Sequence, residues 1–254
     1  MRRTIHFLGG LLLAAAALAG SPAARAEIPA PLADAIQKLI HDEDHWAYTQ
    51  RTQRFNRSGE PDGGPTIERY DPSLPIDEQW QLIQYSGHKP TEGERGKWRR
   101  QKEHQQKHHG EKTLGEVLDL EHATLFSSAT DRLTFLVPLT KNSIGRFPAD
   151  KLEVFMNVDP VQHTLNSFSL RPKGVFHLAG VIRIDGGEFE GRMETILPKY
   201  APTFVWGKGS GYGKVLGIFK VGMGGEVNLS DFKRVMPFND RFDVKIGDIK
   251  ALNF

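Results

Sequence analysis

The chain contains no cysteine in 254 residues. That excludes disulfides, a thiolate nucleophile, Cys-held zinc and an acylated N-terminal Cys. It also lacks a charge excess, since 33 Lys and Arg stand against 31 Asp and Glu. If residues 1–26 leave as an export signal, Arg2, Arg3 and Arg25 go with them and no acid does, so 30 bases face 31 acids at a net −1. Nucleic-acid binding driven by net charge is therefore not expected. Beyond Glu27 no apolar stretch approaches 18 residues, so no further membrane-spanning helix is expected either. What is present suits one globular domain: 39% hydrophobic residues, 15 Phe and 4 Trp. A chain of this size buries about 70% of its unfolded surface.

The first 26 residues read as a cleavable signal. Arg2 and Arg3 supply a basic start, Phe7 to Ala19 an apolar run, and Ala24-Arg25-Ala26 a small-x-small cleavage site before Glu27. The run is too short and too rich in Ala and Gly to span about 30 Å of hydrocarbon comfortably. The rest of a twin-arginine signal is absent, so the general secretory route and a soluble periplasmic protein are expected. The remaining residues, 27–254, are expected to form a single domain.

Pro29 to Ile40 places Leu32, Ala35, Ile36 and Ile40 at helical spacing, with Pro31 near the start. Trp46 to Phe55, Thr66 to Tyr70 and Gln79 to Tyr85 read as three strands of a meander, separated by Gly, Asp and Pro punctuation. Between Thr91 and Lys112 lie seven Lys or Arg, four Glu and three His. This stretch reads as a charged, helical or partly ordered insertion, with Gly93 and Gly96 each weakening a helix by roughly 1 kcal/mol. Its removal is expected to change stability little. Leu114 to Leu120 suggests a short helix.

The second half alternates. Leu133, Phe135, Val137 and Leu139 share one face, as do Leu152, Val154, Met156 and Val158, and Phe189, Met193, Thr195 and Leu197 oppose Glu188, Glu190, Arg192 and Glu194. Asp159-Pro160, Pro172-Lys173-Gly174, Asp185-Gly186-Gly187 and Gly222 to Gly225 read as hairpin turns, too close together for parallel crossovers. The expected fold is mainly β with helices. Roughly ten antiparallel strands would curl strongly into a barrel or half-barrel, with the N-terminal helix and one or two others against its concave face.

No constellation commits the chain to catalysis. His104 and His108 are four apart, with Glu103 and His109 nearby, but the zinc motif H-E-x-x-H is absent and a solvated charged face is preferred. Gly207, Gly209, Gly211 and Gly213 around Lys208 and Lys214 match neither phosphate-loop pattern. They read instead as a bare strand face permitting curvature or a close approach. His41, Asp42, Glu43, Asp44 and His45 read as a hydrated helix end. Ser210 sits in no nucleophile elbow. The basic block around Arg95 to Lys102 is read as interleaved with acids that weaken its field, which favours surface solvation over a specific anionic partner such as lipid or lipopolysaccharide. No catalytic residue, metal site or cofactor is assigned, and any ligand-binding residues stay open. The aromatics, from Trp46 and Trp80 to Phe204 and Trp206, suit either a packed core or an apolar cavity.

Trp46-x-Tyr48, Arg54-Phe55-Asn56, Tyr70-Asp71-Pro72, Trp80-x-Leu82 and Gly87 through Pro90-Thr91 resemble a group of proteobacterial periplasmic proteins. Val158-Asp159-Pro160 and Ser230-Asp231-Phe232-x-Arg234-Val235 look like later landmarks of that group. In pattern these are similar to the lipoprotein-carrier (LolA/LolB-like) superfamily. The resemblance implies a curved antiparallel half-barrel with helices in its concave side and an acyl or other hydrophobic guest, lipid or lipoprotein. The missing N-terminal Cys departs from the acylated receptor branch, and the stretch from Thr91 to Lys112 has no assigned counterpart. Three functions follow as expectations: a periplasmic carrier of a hydrophobic ligand, an envelope interaction or regulatory module with a filled core, or, least supported, an envelope hydrolase using His41, His45 or His88.

Overall fold

Alternating apolar residues dictate strands, and the computed structural model, which describes residues 28–42, 45–108, 114–141, 148–178, 182–215, 217, 219–238 and 240, joins them in one sheet. The expected signal, Glu43, Asp44 and His109 lie outside the described residues. Helix α1 (Ala30–Asp42) leads into β1 (Trp46–Phe55), β2 (Thr66–Tyr70) and β3 (Trp80–Gln84). Helices α2 (Glu92–His108) and α3 (Leu114–Val117) follow, then β4 (Thr124–Ala129), β5 (Arg132–Val137), β6 (Leu152–Val158), β7 (Leu165–Pro172) and β8 (Phe176–Leu178). Three long strands close the series: β9 (Ile182–Glu194), β10 (Thr203–Val215) and β11 (Phe219–Arg234).

The sheet has eleven strands, all paired antiparallel, in the order β3-β2-β1-β11-β10-β9-β7-β6-β5-β4, with β8 also on β9. The expected half-barrel does not form. β3 and β4 end the order without pairing to each other, and the sheet is neither closed nor strongly curled. One edge is managed by a helix instead of by closure: α2 lies along β3, where Arg95 donates to the Leu82 carbonyl oxygen at 3.2 Å. At the other edge every residue of β4 is exposed, including Leu125 and Phe126.

Three of the four expected hairpin turns are also corrected. Asp185-Gly186-Gly187 lies inside β9, as a bulge where the pairing with β10 shifts between Tyr212 and Gly213. Gly222 to Gly225 lies inside β11. Pro172-Lys173-Gly174 interrupts a single line of chain, because β7 and β8 both pair with β9. Asp159-Pro160 is a turn: the Asp159 carboxylate accepts the backbone N–H of Val161 at 2.8 Å and of Gln162 at 2.7 Å. Those two bonds, Gln162 first, hold its carboxyl below the usual range.

The apolar face of β5, β6 and β7 carries the core. Phe135 pairs with Met156 and Val137 with Val154, while Met156 and Val154 pair onward with Phe168 and Leu170. Helix α1 lays Leu32, Ala35 and Ile36 on this face, all buried, with Leu39 packed beside them. Ile40, expected among them, is 47% exposed. Seven residues turn a helix by about two turns less 20°, so Leu39 stays over Leu32, whereas the eighth overshoots by about 80°. Two polar contacts fix the helix to the β6–β7 turn: His163 Nδ1 to Asp34 at 2.8 Å and the Lys38 ammonium to the Gln162 carbonyl oxygen at 2.5 Å.

Candidate functional site

The apolar face continues beyond α1 but its cover does not, and an open cavity of about 700 Å³ results. Its floor comes from β6, β7, β9 and β10, through Met156, Phe168, Phe189, Met193 and Phe204. One wall is the α3 segment with Val117 and Leu118, strapped to the end of β5 by Thr140 N–H to Val117 oxygen at 2.9 Å and Asp119 N–H to Pro138 oxygen at 2.8 Å. The other wall is aromatic. Tyr48, Tyr70 and Trp80 face one another across β1, β2 and β3, with Tyr70 and Trp80 centroids 4.8 Å apart and Tyr48 and Tyr70 5.2 Å apart. The period-two glycines help make the floor. A Cβ on Gly207 would lie 2.8 Å from the Phe204 ring and 2.9 Å from Phe189, so the bare backbone lets both rings lie close against the sheet. The sequence reading allowed either curvature or a close approach by another segment. It did not anticipate that the approaching groups would be rings from the same sheet.

Beside the aromatic wall, α2 is docked rather than solvated, which corrects the expected appendage. Its anchor is Glu68 of β2, a buried carboxylate that faces Gln50 and Leu82 in the strand register. The Trp98 indole N–H and the Lys102 ammonium (3.1 Å) both meet Oε1 of Glu68, and the Gln50 amide donates to Oε2 at 3.0 Å. Lys102 also sits over the Trp80 ring, 3.6 Å from its centroid. A buried charge is tolerated only when paired and hydrogen-bonded, and here both oxygens are engaged. Between α2 and β3 runs a second cleft of about 820 Å³, lined by Trp80, Leu82, Arg95, Trp98, Arg99 and Lys102, with Ile76, Asp77, Gln81, Ile83 and Glu103.

The start of α2 explains how a helix with Gly93 and Gly96 in its first turns survives. Thr91 accepts the Glu94 N–H at 3.3 Å on its hydroxyl, while Glu94 Oε2 accepts the Thr91 N–H at 2.8 Å and its hydroxyl at 2.9 Å. This is a capping box, T-x-x-E, and it was legible in the sequence. The Thr91 N–H, then its hydroxyl, holds the Glu94 carboxyl below the usual range. On the sheet's other face, the Trp206 indole N–H at 3.0 Å and then the Asn228 amide at 3.1 Å do the same to Glu226.

The residues considered for catalysis are not brought together. His45, which pairs with Asp240 at 3.7 Å, immediately precedes β1. His88 follows the far end of β3, 3.6 Å from Glu94. The strand register separates them by roughly 20 Å at about 3.3 Å per residue. Ser210 pairs with Glu188 and Gly224 in mid-sheet, in no strand-to-helix turn. His104 is exposed on α2, and the side chains of His41 and His108 lie outside the described residues. Among the described residues no three His, Asp or Glu side chains gather as a metal site requires. No described helix is long and apolar enough to cross a membrane.

No protein-family model and no curated protein matches the sequence. Among solved structures, the chain is similar to a LolA superfamily protein from Nitrosomonas europaea, at 12% identity and a TM-score of 0.36, over 84% of this chain and 94% of that one. Similarity at this level assigns neither family membership nor an activity.

Proposed function

We propose that the protein is a non-enzymatic binding or carrier protein that holds the long apolar part of a lipid or acyl-bearing ligand in the cavity between α1, α3 and the aromatic wall. The observation that supports this reading is the cavity itself: about 700 Å³, open, and lined mostly by aliphatic and aromatic side chains. That volume and chemistry fall within the usual range for small-molecule sites. Such a ligand would be bound by burial of apolar surface, worth about 0.8 kcal/mol for each methylene taken from water, without covalent chemistry. The same reading places the protein in the periplasm, with residues 1–26 as its signal and 27–254 as one domain. N-terminal sequencing of the exported protein should then begin at Glu27.

Isothermal titration calorimetry of the full mature chain with hexadecanol tests the binding reading. Leu229 lines the cavity and is only half-buried, so Leu229→Trp fills space without removing core. It should weaken binding at least tenfold with the melting temperature held. Unchanged affinity in this variant, or no saturable binding by the wild type, would sink the proposal.

A further inference from the structure

We infer that the cleft between α2 and β3 is the headgroup end of the same site, and that the ligand is a single-chain amphiphile with an anionic carboxylate or phosphate headgroup. This rests on the apolar cavity being a binding site. The two spaces share one wall residue, Trp80, which lines both. From the cavity side Trp80 continues the aromatic wall with Tyr70; on the cleft side the Lys102 ammonium sits 3.6 Å from its ring centroid. An apolar chain lying along the aromatic wall would thus end beside Lys102, in the cleft that Arg95 and Arg99 also line.

The charge of the cleft favours an anion. From residue 95 to 102, α2 carries Arg95, Lys97, Arg99, Arg100 and Lys102 with no acid between them, so the acids expected to weaken this block lie only at its flanks, as Glu92, Glu94 and Glu103. Of these, Arg95, Arg99 and Lys102 line the cleft. Glu68 answers Lys102, and Arg95 donates to the Leu82 oxygen. Arg99 is exposed and has no ion-pair partner among the described residues. Asp77 and Glu103 also line the cleft and, like Arg99, are exposed to water and salt, whereas Arg95 and Lys102 are partly buried, where a charge acts over a lower dielectric. A planar guanidinium pair suits two-oxygen headgroups better than a neutral hydroxyl.

The test compares hexadecyl phosphate, palmitate and hexadecanol on the full mature chain at low and high salt. The anionic ligands should bind at least tenfold tighter than hexadecanol at low salt, and the ratio should shrink as salt rises. In Arg99→Gln, an exposed position, the ratio should fall several-fold, and further in the Arg95→Gln/Arg99→Gln pair. The tighter of the two anions identifies the headgroup. Equal affinities for all three ligands would overturn the headgroup site while leaving the apolar site standing. Failure of all three to bind would remove both.

Discussion

The two long helices dock on one sheet by opposite means. α1 presses Leu32, Ala35 and Ile36 into aliphatic strands, and its polar contacts to Gln162 and His163 are peripheral. α2 offers one large apolar group, Trp98, and is held by hydrogen bonds and charge around Glu68. Burial that depends on area is insensitive to detail, since any apolar stripe of the right period can supply it. Docking that depends on a buried carboxylate needs every partner in place.

The sharpest contrast should appear on truncation. Leu32→Ala should cost about 2–5 kcal/mol, read from urea unfolding of the whole domain. A loss below about 1 kcal/mol would mean that α1 is not integral to the core. Glu68→Gln should cost about 1–3 kcal/mol, because it leaves Lys102 without its carboxylate and weakens the Trp98 bond. It should also expose residues 92–108 to protease before the sheet unfolds. If α2 were a solvated appendage, the change would stay within about 0.5 kcal/mol, as for surface substitutions generally. Thr91→Ala should cost about 1 kcal/mol, confined to α2, and amide exchange in the first turn of that helix reads it directly.

The smallest effect is pH dependence, and its sign separates two sites. Glu94 has a lowered folded value, so its contribution is present above the unfolded carboxyl value of about 4.3 and is lost as pH falls through the lower folded one. Amide protection factors at the start of α2, in which the intrinsic slowing of exchange in acid is divided out, should therefore fall as the pH is lowered. His122 is raised, by its hydrogen bond to Asp119 and then that residue's charge. Its contribution is complete below the unfolded value of about 6.5 and is lost as pH rises through the raised one. Chemical shifts of the His122 ring, followed between pH 5 and 9, should show a midpoint above the ordinary histidine value.

Where packing is aliphatic, the sequence is easy to read. Phe135 and Val137 opposite Met156 and Val154 follow from period-two alternation, and the α1 stripe from period 3.6, wrong only in taking Ile40 for Leu39. The capping box at Thr91 and Glu94 is equally local, and it offsets the helix-weakening Gly93 and Gly96 on which the sequence expectation rested. The docking of α2 was hidden for a different reason. Glu68 and Trp98 are 30 residues apart, and nothing in either segment announces the other until β2 has its register. Gly186, Gly187 and Gly222 to Gly225 read as turns because glycine clusters usually break strands. In β9 and β11 they are mid-strand, and a Cβ on Gly186 would run into the Tyr212 ring. Strand number and glycine content together suggested strong curling; the sheet instead stays open, with β3 and β4 at its two ends. Of the candidate site, the aromatics were visible as a class, but which of them line a space and which fill one depends on how far α1 reaches across the face.

The unequal finish of the sheet's two margins limits how copies of this molecule could stack. Among the described residues β4 is bare and uncharged, whereas β3 is shielded by arginine-bearing α2. Two molecules joining β4 to β4 would leave only shielded margins outward, so ribbon growth would terminate at a pair and a fibre would have nothing to extend from.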